Sequence, residues 1–421
     1  MNSNKGITLT TALNFLLAYC LIRFGLVFST QTSLFGLTYV VMAGLLLVFL
    51  LLLVSKEYAG RLVQVNLLWI ICNIACIFIL RILISRASYL TYTSNYFNQL
   101  IVLATLWGFY LYMERLPREK RNWLTSIYLA VVAVSAMYTL YVAINGHSRI
   151  IRNTAFGEYD PQFSLTYGGY DFIYGLVVIY VGMLVVFVNG KGRISQAKRI
   201  VMLCLMILFA LTIIASSFST AFALILLATI FLVPKTLKTK LSLIGLLAFC
   251  VYVIPGPLTR FIESIPYMPK LTSDRLNELI LSFSGRESSA YLTEEGQRLD
   301  RIMWSIDAFK AHPFLGVFAS GGRQPIGQHT EWIDQLARYG LITATFNAMF
   351  WGSTYRKMKN DYSPKSVTYK CIQNAFVVYF ILGMLNTISM VVTSAPLFIL
   401  CPFLESLFTR EDTPNRLAQP Q

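Results

Sequence analysis

The stretch SGGRQPIGQHTEWIDQLARYGLI, Ser320 to Ile342, sets a glycine-rich polar loop, a histidine and an amphipathic run in succession. His329 is one of three histidines in the chain, so its place just before a helical pattern asks for a reason. Thr330 suits an N-cap, Glu331 a first turn, and Trp332, Leu336 and Tyr339 follow at helical spacing. The positive end of such a helix disfavours a second proton on imidazole, so the ring is expected to be neutral and able to accept one. The same helix end, with the amides of Gly321, Gly322 and Gly327 beside it, is suited to an anion.

Arginines make the second half of the pattern. EEGQRLDRIMWSIDAFKAHP reads as an amphipathic helix with Leu299, Ile302, Ile306 and Phe309 along one side and Pro313 at its end. Arg298 and Arg301 are three apart on it and project to neighbouring positions. Taken singly, each is read as a solvated residue paired with Glu294, Glu295 or Asp300. Arg286, Arg323, Arg149 and Arg152 have no evident acidic partner, and Arg23 and Arg81 sit near the ends of apolar runs, where arginine snorkels or functions. Guanidinium forks match phosphate oxygens, so the set points to an anionic partner.

Absent motifs narrow the chemistry. Three scattered histidines, no carboxylate cluster and no thiolate set give no tightly held catalytic metal, and no cofactor is expected. There is no P-loop and no dinucleotide fingerprint. If the leaving group is already a pyrophosphate, it needs cations rather than a general acid, and one base to activate a hydroxyl acceptor. A neutral histidine with several arginines is the smallest set that meets those needs.

The elements that must position these residues are membrane spans. The chain is 56% hydrophobic and 13% charged, where a soluble domain of its length would carry about a quarter charged residues. About twelve apolar runs approach the roughly 20 residues needed to cross a bilayer. They fall near 8–28, 34–54, 62–83, 98–114, 123–144, 169–189, 199–215, 217–234, 241–257, 333–352, 371–390 and 392–408. The first is expected to be retained rather than cleaved as a signal peptide. The turn near Ser216–Ser219 would be very tight. The resulting organisation is a membrane region over 1–257, an outer loop over 258–332, a second membrane region over 333–408 and a tail over 409–421. Shorter outer loops are expected over 84–97 and 145–168, the first with Tyr89, Tyr92, Tyr96 and Phe97. A loop as long as 258–330 is expected to be a functional module with structure of its own.

The formal net charge of +15 would suit nucleic acid, but its distribution argues against that partner. Lys56 and Arg61, Arg115 to Arg121, Lys191 to Arg199, Lys235 to Lys240 and Arg356 to Lys370 fall on alternate loops. That pattern places those loops and both termini in the cytoplasm. The seven cysteines all sit in apolar runs and read as small buried hydrophobes; Cys72 and Cys76 share a helix face without other metal ligands.

RLDRIMWSIDAFKAHPFLGVFASGG followed by GQHTEWIDQLARYGLIT resembles the O-antigen ligase/polymerase superfamily over the stretch from Arg298 to Ile342. The shared features are an Arg-then-Trp amphipathic segment, a proline before an apolar-Gly turn, and a histidine preceding an aromatic and a Leu-Ala-x-x-Gly-Leu run. The version here is more similar to repeat-unit polymerases than to ligases, which more often carry Asn after the histidine. The resemblance implies an all-α polytopic membrane protein, glycosyltransferase-C-like, with a helix-bearing periplasmic loop in the bacterial inner membrane. It implies metal-independent polymerisation of undecaprenyl-pyrophosphate-linked oligosaccharides, as both donor and acceptor, for O-antigen or capsule. Membrane lipid and a chain-length regulator protein are the further partners it implies. His329 takes the role of base, and Arg301 or Arg298 that of the helix arginine. Arg286, Arg323, Arg152, Arg149, Glu331 and Trp332 are the candidate pyrophosphate and substrate contacts. Two departures stand: the spacing to Trp304 differs by one residue, and ASSFSTAFAL lacks an arginine that relatives often carry there, a place Arg152 or Arg149 could fill. His312, before the proline, reads as structural, and Tyr89, Tyr92, Trp304 and Trp332 as surfaces for sugar stacking. A lipid A-core ligase is the alternative enzyme. A flippase or secondary transporter is the alternative of another class, but it would place polar residues at mid-bilayer.

Overall fold

The computed structural model describes residues 61–84, 87–147, 168–234, 236–253, 255–265, 270, 273, 274, 277, 280, 289–320, 324–388 and 392–409. Among them the secondary structure is helical, and extended pairing is confined to an isolated bridge between Ile194 and Thr409. The first helices are α1 (Arg61–Leu83), α2 (Ala87–Arg115) and α3 (Arg118–Val142), the last running into a π turn at Ala143–His147. Then come α4 (Tyr170–Asn189), α5 (Gln196–Ala215), α6 (Ser219–Leu232), α7 (Leu237–Val253) and α8 (Pro255–Ser264). The motif region holds α9 (Ser289–Ala311), α10 (Gly316–Ser320) and α11 (Glu331–Asn360), and the chain closes with α12 (Val367–Leu385), α13 (Ala395–Ile399) and α14 (Leu404–Phe408).

Five helices among the described residues are long and apolar enough to cross a membrane: those over Val65–Ile82, Arg118–Asn145, Tyr170–Asn189, Gln196–Ala215 and Val367–Leu385. The expected spans 8–28 and 34–54 lie outside the described residues. α4 is apolar all round and is the central post, with residues from Phe172 to Val186 buried on every side. A helix with no polar face can meet protein or lipid, and the burial of this one shows that protein encloses it. Gly182 lets its neighbours close in, since a β-carbon there would sit 3.2 Å from Cys401 Sγ and 3.3 Å from Cys371 Sγ. Around this core, α1, α5 and α12 expose Ile79, Ile82, Ile200, Leu211, Ile381 and Met384, the outward apolar faces that a lipid-facing helix needs.

Three expectations change in detail, and the tight turn gains a backbone cause. α2 begins at Ala87, so the expected loop over 84–97 is helical beyond Arg86. Hydropathy misses this turn of helix because its residues are polar or aromatic, yet Tyr89, Tyr92 and Tyr96 recur at helical spacing and pack towards Phe318 and Tyr339. The tight link between α5 and α6 is made possible by Ser217 in the left-handed region, φ 61°. α11 does not run straight from the motif into a span: Gly340, at φ 74° and ψ −179°, breaks it into two helical pieces.

The last expected span, 392–408, is not one helix. It is α13 and α14, five residues each, joined through Pro402, and nearly every side chain along it is buried. It lies along α4 in the same direction, with Thr393 bonded to Asp171 O and Thr409 bridged to Ile194. Irregular backbone is tolerated at such depth only when protein encloses it. Its final carbonyls are taken by cations: Arg118 reaches Ser406 O at 3.0 Å and Thr409 O at 3.1 Å, and Lys198 reaches Leu407 O at 3.0 Å. Glu405, fully buried, accepts from Thr368 N at 2.8 Å and pairs with Arg193 at 3.4 Å. This end of the bundle, opposite His329, is the basic end.

Candidate active site

α9 supplies the first wall. The buried side chains of its last three turns are Ser305 and Ala308, while Ile302, Ile306 and Phe309 are half-buried and Trp304 is 45% exposed. The face turned inward is therefore the one shared by Arg301 and Ser305, four residues apart, rather than the expected apolar stripe. Pro313 stops the helix, and the chain turns into α10.

That turn is docked on the break in α11. Leu341 N donates to Pro313 O at 2.7 Å, and Ile342 N to Phe314 O at 3.4 Å. A β-carbon on Gly340 would lie 2.2 Å from Phe314 O, a distance no side chain can accommodate. The HPFLG and RYGL parts of the motif thus meet through backbone, and α9 is held against α11.

The loop Gln324–Thr330 then threads between these helices. Gly327 lies against the backbone of Arg301, where a β-carbon would be 1.9 Å from Arg301 O, and its N–H donates to Ser305 Oγ at 2.9 Å. Ser305 Oγ in turn donates to Asp334 Oδ1 in a short bond. The other oxygen of Asp334 accepts from Thr330 N at 3.1 Å. Thr330 is the N-cap by position, but its hydroxyl makes no cap; the Asp334 carboxylate captures the N-terminal backbone instead. Gln328 adopts φ 56°, and its carbonyl accepts from Thr387 Oγ1 at 2.7 Å. Both neighbours of His329 are therefore fixed by hydrogen bonds to buried or packed groups.

Held in this way, His329 Nε2 meets Arg301 Nη1 at 2.7 Å. Guanidinium can only donate, so Nε2 must accept and the ring proton must be on Nδ1. A contact of this kind requires a neutral imidazole. Two imidazolium N–H groups could not make this contact.

The other candidates fall out as follows. Arg298 lies three residues before Arg301 on α9, with its side chain outside the described residues; Arg286, Arg323, Arg152 and Arg149 also lie outside them. Glu331 is buried, accepts from Gln335 Nε2 at 2.6 Å, and donates its own N–H to Asn386 O at 3.1 Å. Burial pushes its carboxyl above the ordinary carboxylate range, with the Arg338 charge pulling the other way. Trp332 is wedged between α11 and α12: its Nε1 donates to Phe380 O at 3.0 Å and its ring fills the space left by Gly383. Tyr89 stacks on Phe318 at 4.3 Å, whereas Tyr92 is 42% exposed beneath the Arg338 guanidinium. His312 Nε2 is bonded to Gln324 Oε1 at 3.1 Å.

Three residues of the site escaped the sequence reading: Ser305, Asp334 and Arg338. Ser305 and Asp334 look like ordinary polar positions of amphipathic helices. Asp334 lies four residues after Thr330, one more than a capping box has, so no cap signal marks it in the sequence. Among the described residues, no group of three or more His, Cys, Asp or Glu side chains could hold a metal ion. Neither protein-family models nor curated proteins yield a match to the chain.

Proposed function

We propose that the chain is a metal-independent glycosyltransferase that polymerises undecaprenyl-pyrophosphate-linked oligosaccharide repeat units of an O-antigen or capsule. Its place would be the bacterial inner membrane, with His329 on the periplasmic side and the basic end in the cytoplasm. The observation that carries this reading is the 2.7 Å contact of a neutral histidine with an arginine, at the end of a helical bundle with apolar outward faces. The motif resemblance supplies the substrate class.

In the reaction, His329 Nε2 takes the proton of a sugar hydroxyl on the incoming unit. The hydroxyl oxygen forms a bond to the anomeric carbon of the growing chain, and the bond from that carbon to the lipid pyrophosphate breaks. The electron pair leaves with the phosphate oxygen, where Arg301 and the other arginines named above offset its charge. A positioned base contributes on the order of 10²–10⁴-fold in rate.

The test is His329→Ala in cells. Single repeat units should accumulate with the protein at normal abundance in the membrane, while His147→Ala and His312→Ala should still make polymer. Full-length polymer from His329→Ala would end this reading.

A further inference from the structure

We propose that Arg301 guards His329: the guanidinium occupies the Nε2 lone pair until a diphosphate draws it away, so donor binding must precede deprotonation of the acceptor. This rests on the transferase reading above and adds an order of events to it.

A ring nitrogen that is accepting a hydrogen bond from a cation has no lone pair to offer a hydroxyl. At 2.7 Å the Arg301–His329 contact is short and charge-assisted, so the base is masked in this arrangement. The proton on Nδ1, which the contact requires, leaves the other nitrogen unable to substitute.

The mask is also poised to be lifted. Arg301 is half-buried, and among the described residues no carboxylate lies within salt-bridge distance of it. Its described partner is a neutral ring that takes one of five N–H donors. A diphosphate offers a full opposite charge and pairs of oxygens that fit the planar fork, so it outcompetes imidazole for the same group. The backbone on both sides of the histidine is held, Gln328 O by Thr387 and Thr330 N by Asp334, whereas the arginine sits on a long flexible side chain. The arginine moves and the base stays. In a site that cleaves an activated lipid diphosphate, such an order keeps the base idle until the leaving group is seated.

The experiment measures acylation of His329 by diethyl pyrocarbonate in the full-length, detergent-solubilised protein, resolved by peptide mass spectrometry. Inorganic pyrophosphate is the probe. Releasing a hydrogen bond to a charged group should speed modification roughly tenfold, whereas a bound anion ordinarily protects a site. Sodium chloride at matched ionic strength should not reproduce the gain. Arg301→Ala should be modified about tenfold faster than wild type without any anion, and pyrophosphate should add nothing further. The wild-type arm stands even where that variant folds poorly. Slower or unchanged modification of wild type with pyrophosphate, or an equal gain with chloride, overturns the guard. The transferase reading fails separately, on polymer made by His329→Ala.

Discussion

Substituting Gly340 by alanine should cost more than any other glycine change in α11, and the size can be worked out from the backbone. At φ 74° and ψ −179° the residue lies in a region that is essentially glycine's alone, worth about 1–3 kcal/mol of strain for any other residue. The new β-carbon would also fall 2.2 Å from Phe314 O, a backbone atom with no rotamer to change. The Pro313–Gly316 turn would have to retreat by about 1 Å, breaking the 2.7 Å bond from Leu341 N to Pro313 O. Losing that hydrogen bond adds about 0.5–1.5 kcal/mol. The combined loss, about 1.5–4.5 kcal/mol, is a large share of the whole stability of a marginal protein. Gly352 is the control, twelve positions along the same helix: a β-carbon there meets nothing within 4 Å, so alanine should be neutral or stabilising by about 0.5–1 kcal/mol. Thermal unfolding in detergent, followed by tryptophan fluorescence, reads both, and polymer length in cells reads the site. Gly340→Ala with the melting point and polymer of wild type would show that the turn is not docked as described.

Ser305→Ala and Asp334→Asn should each lower the proposed polymerase activity without removing the protein from the membrane, and a double-mutant cycle should show coupling of about 0.5–3 kcal/mol. Strict additivity would mean that their short hydrogen bond does not hold the His329 loop. Chelator should leave turnover intact, and Arg301→Ala should be far more damaging than Arg301→Lys, which keeps the charge; near-normal turnover in the alanine variant would move pyrophosphate binding elsewhere. Glu331 keeps its proton to higher pH in the folded chain than in the unfolded one. Its contribution to stability therefore falls as pH rises upward from the ordinary carboxylate range. Glu331→Gln should flatten that part of the stability–pH profile, an outcome checked by melting points across pH, and an unchanged slope would assign it to another group. Single cysteines at Ser289 and Ser363 should react with an impermeant reagent only at Ser289 in cells with a permeable outer membrane, and the reverse would invert the proposed orientation.

What the chain reveals before folding follows from which interactions are local. α4 and α12 are readable because a run of apolar residues specifies its own helix and its own burial. His329 and Arg301 are readable as chemistry, since few side chains of their kind are spared from the bundle. Their contact is not, because 28 residues separate them and the distance depends on two glycine approaches and the Ser305–Asp334 bond. The aromatic start of α2 is hidden from hydropathy by the hydroxyls of tyrosines whose rings nonetheless pack on Phe318 and Tyr339. Gly340 appears in the sequence as an ordinary glycine beside leucine, and only the carbonyl of Phe314 shows why no β-carbon belongs there.

The broken segment of α13 and α14 bears on how the protein is made. A segment interrupted at Pro402, with five-residue helices on either side, cannot satisfy its own backbone and so cannot leave a translocation channel into lipid as an independent helix. It has to be received by a groove that α2, α3 and α4 have already formed, where Arg118, Asn122 and Arg193 wait for its carbonyls and for Glu405. Docking of this segment therefore follows insertion of the helices that form the groove. A released chain truncated just before Val392 would leave that groove unfilled, with Arg118 and Asn122 lacking the carbonyls they now bind.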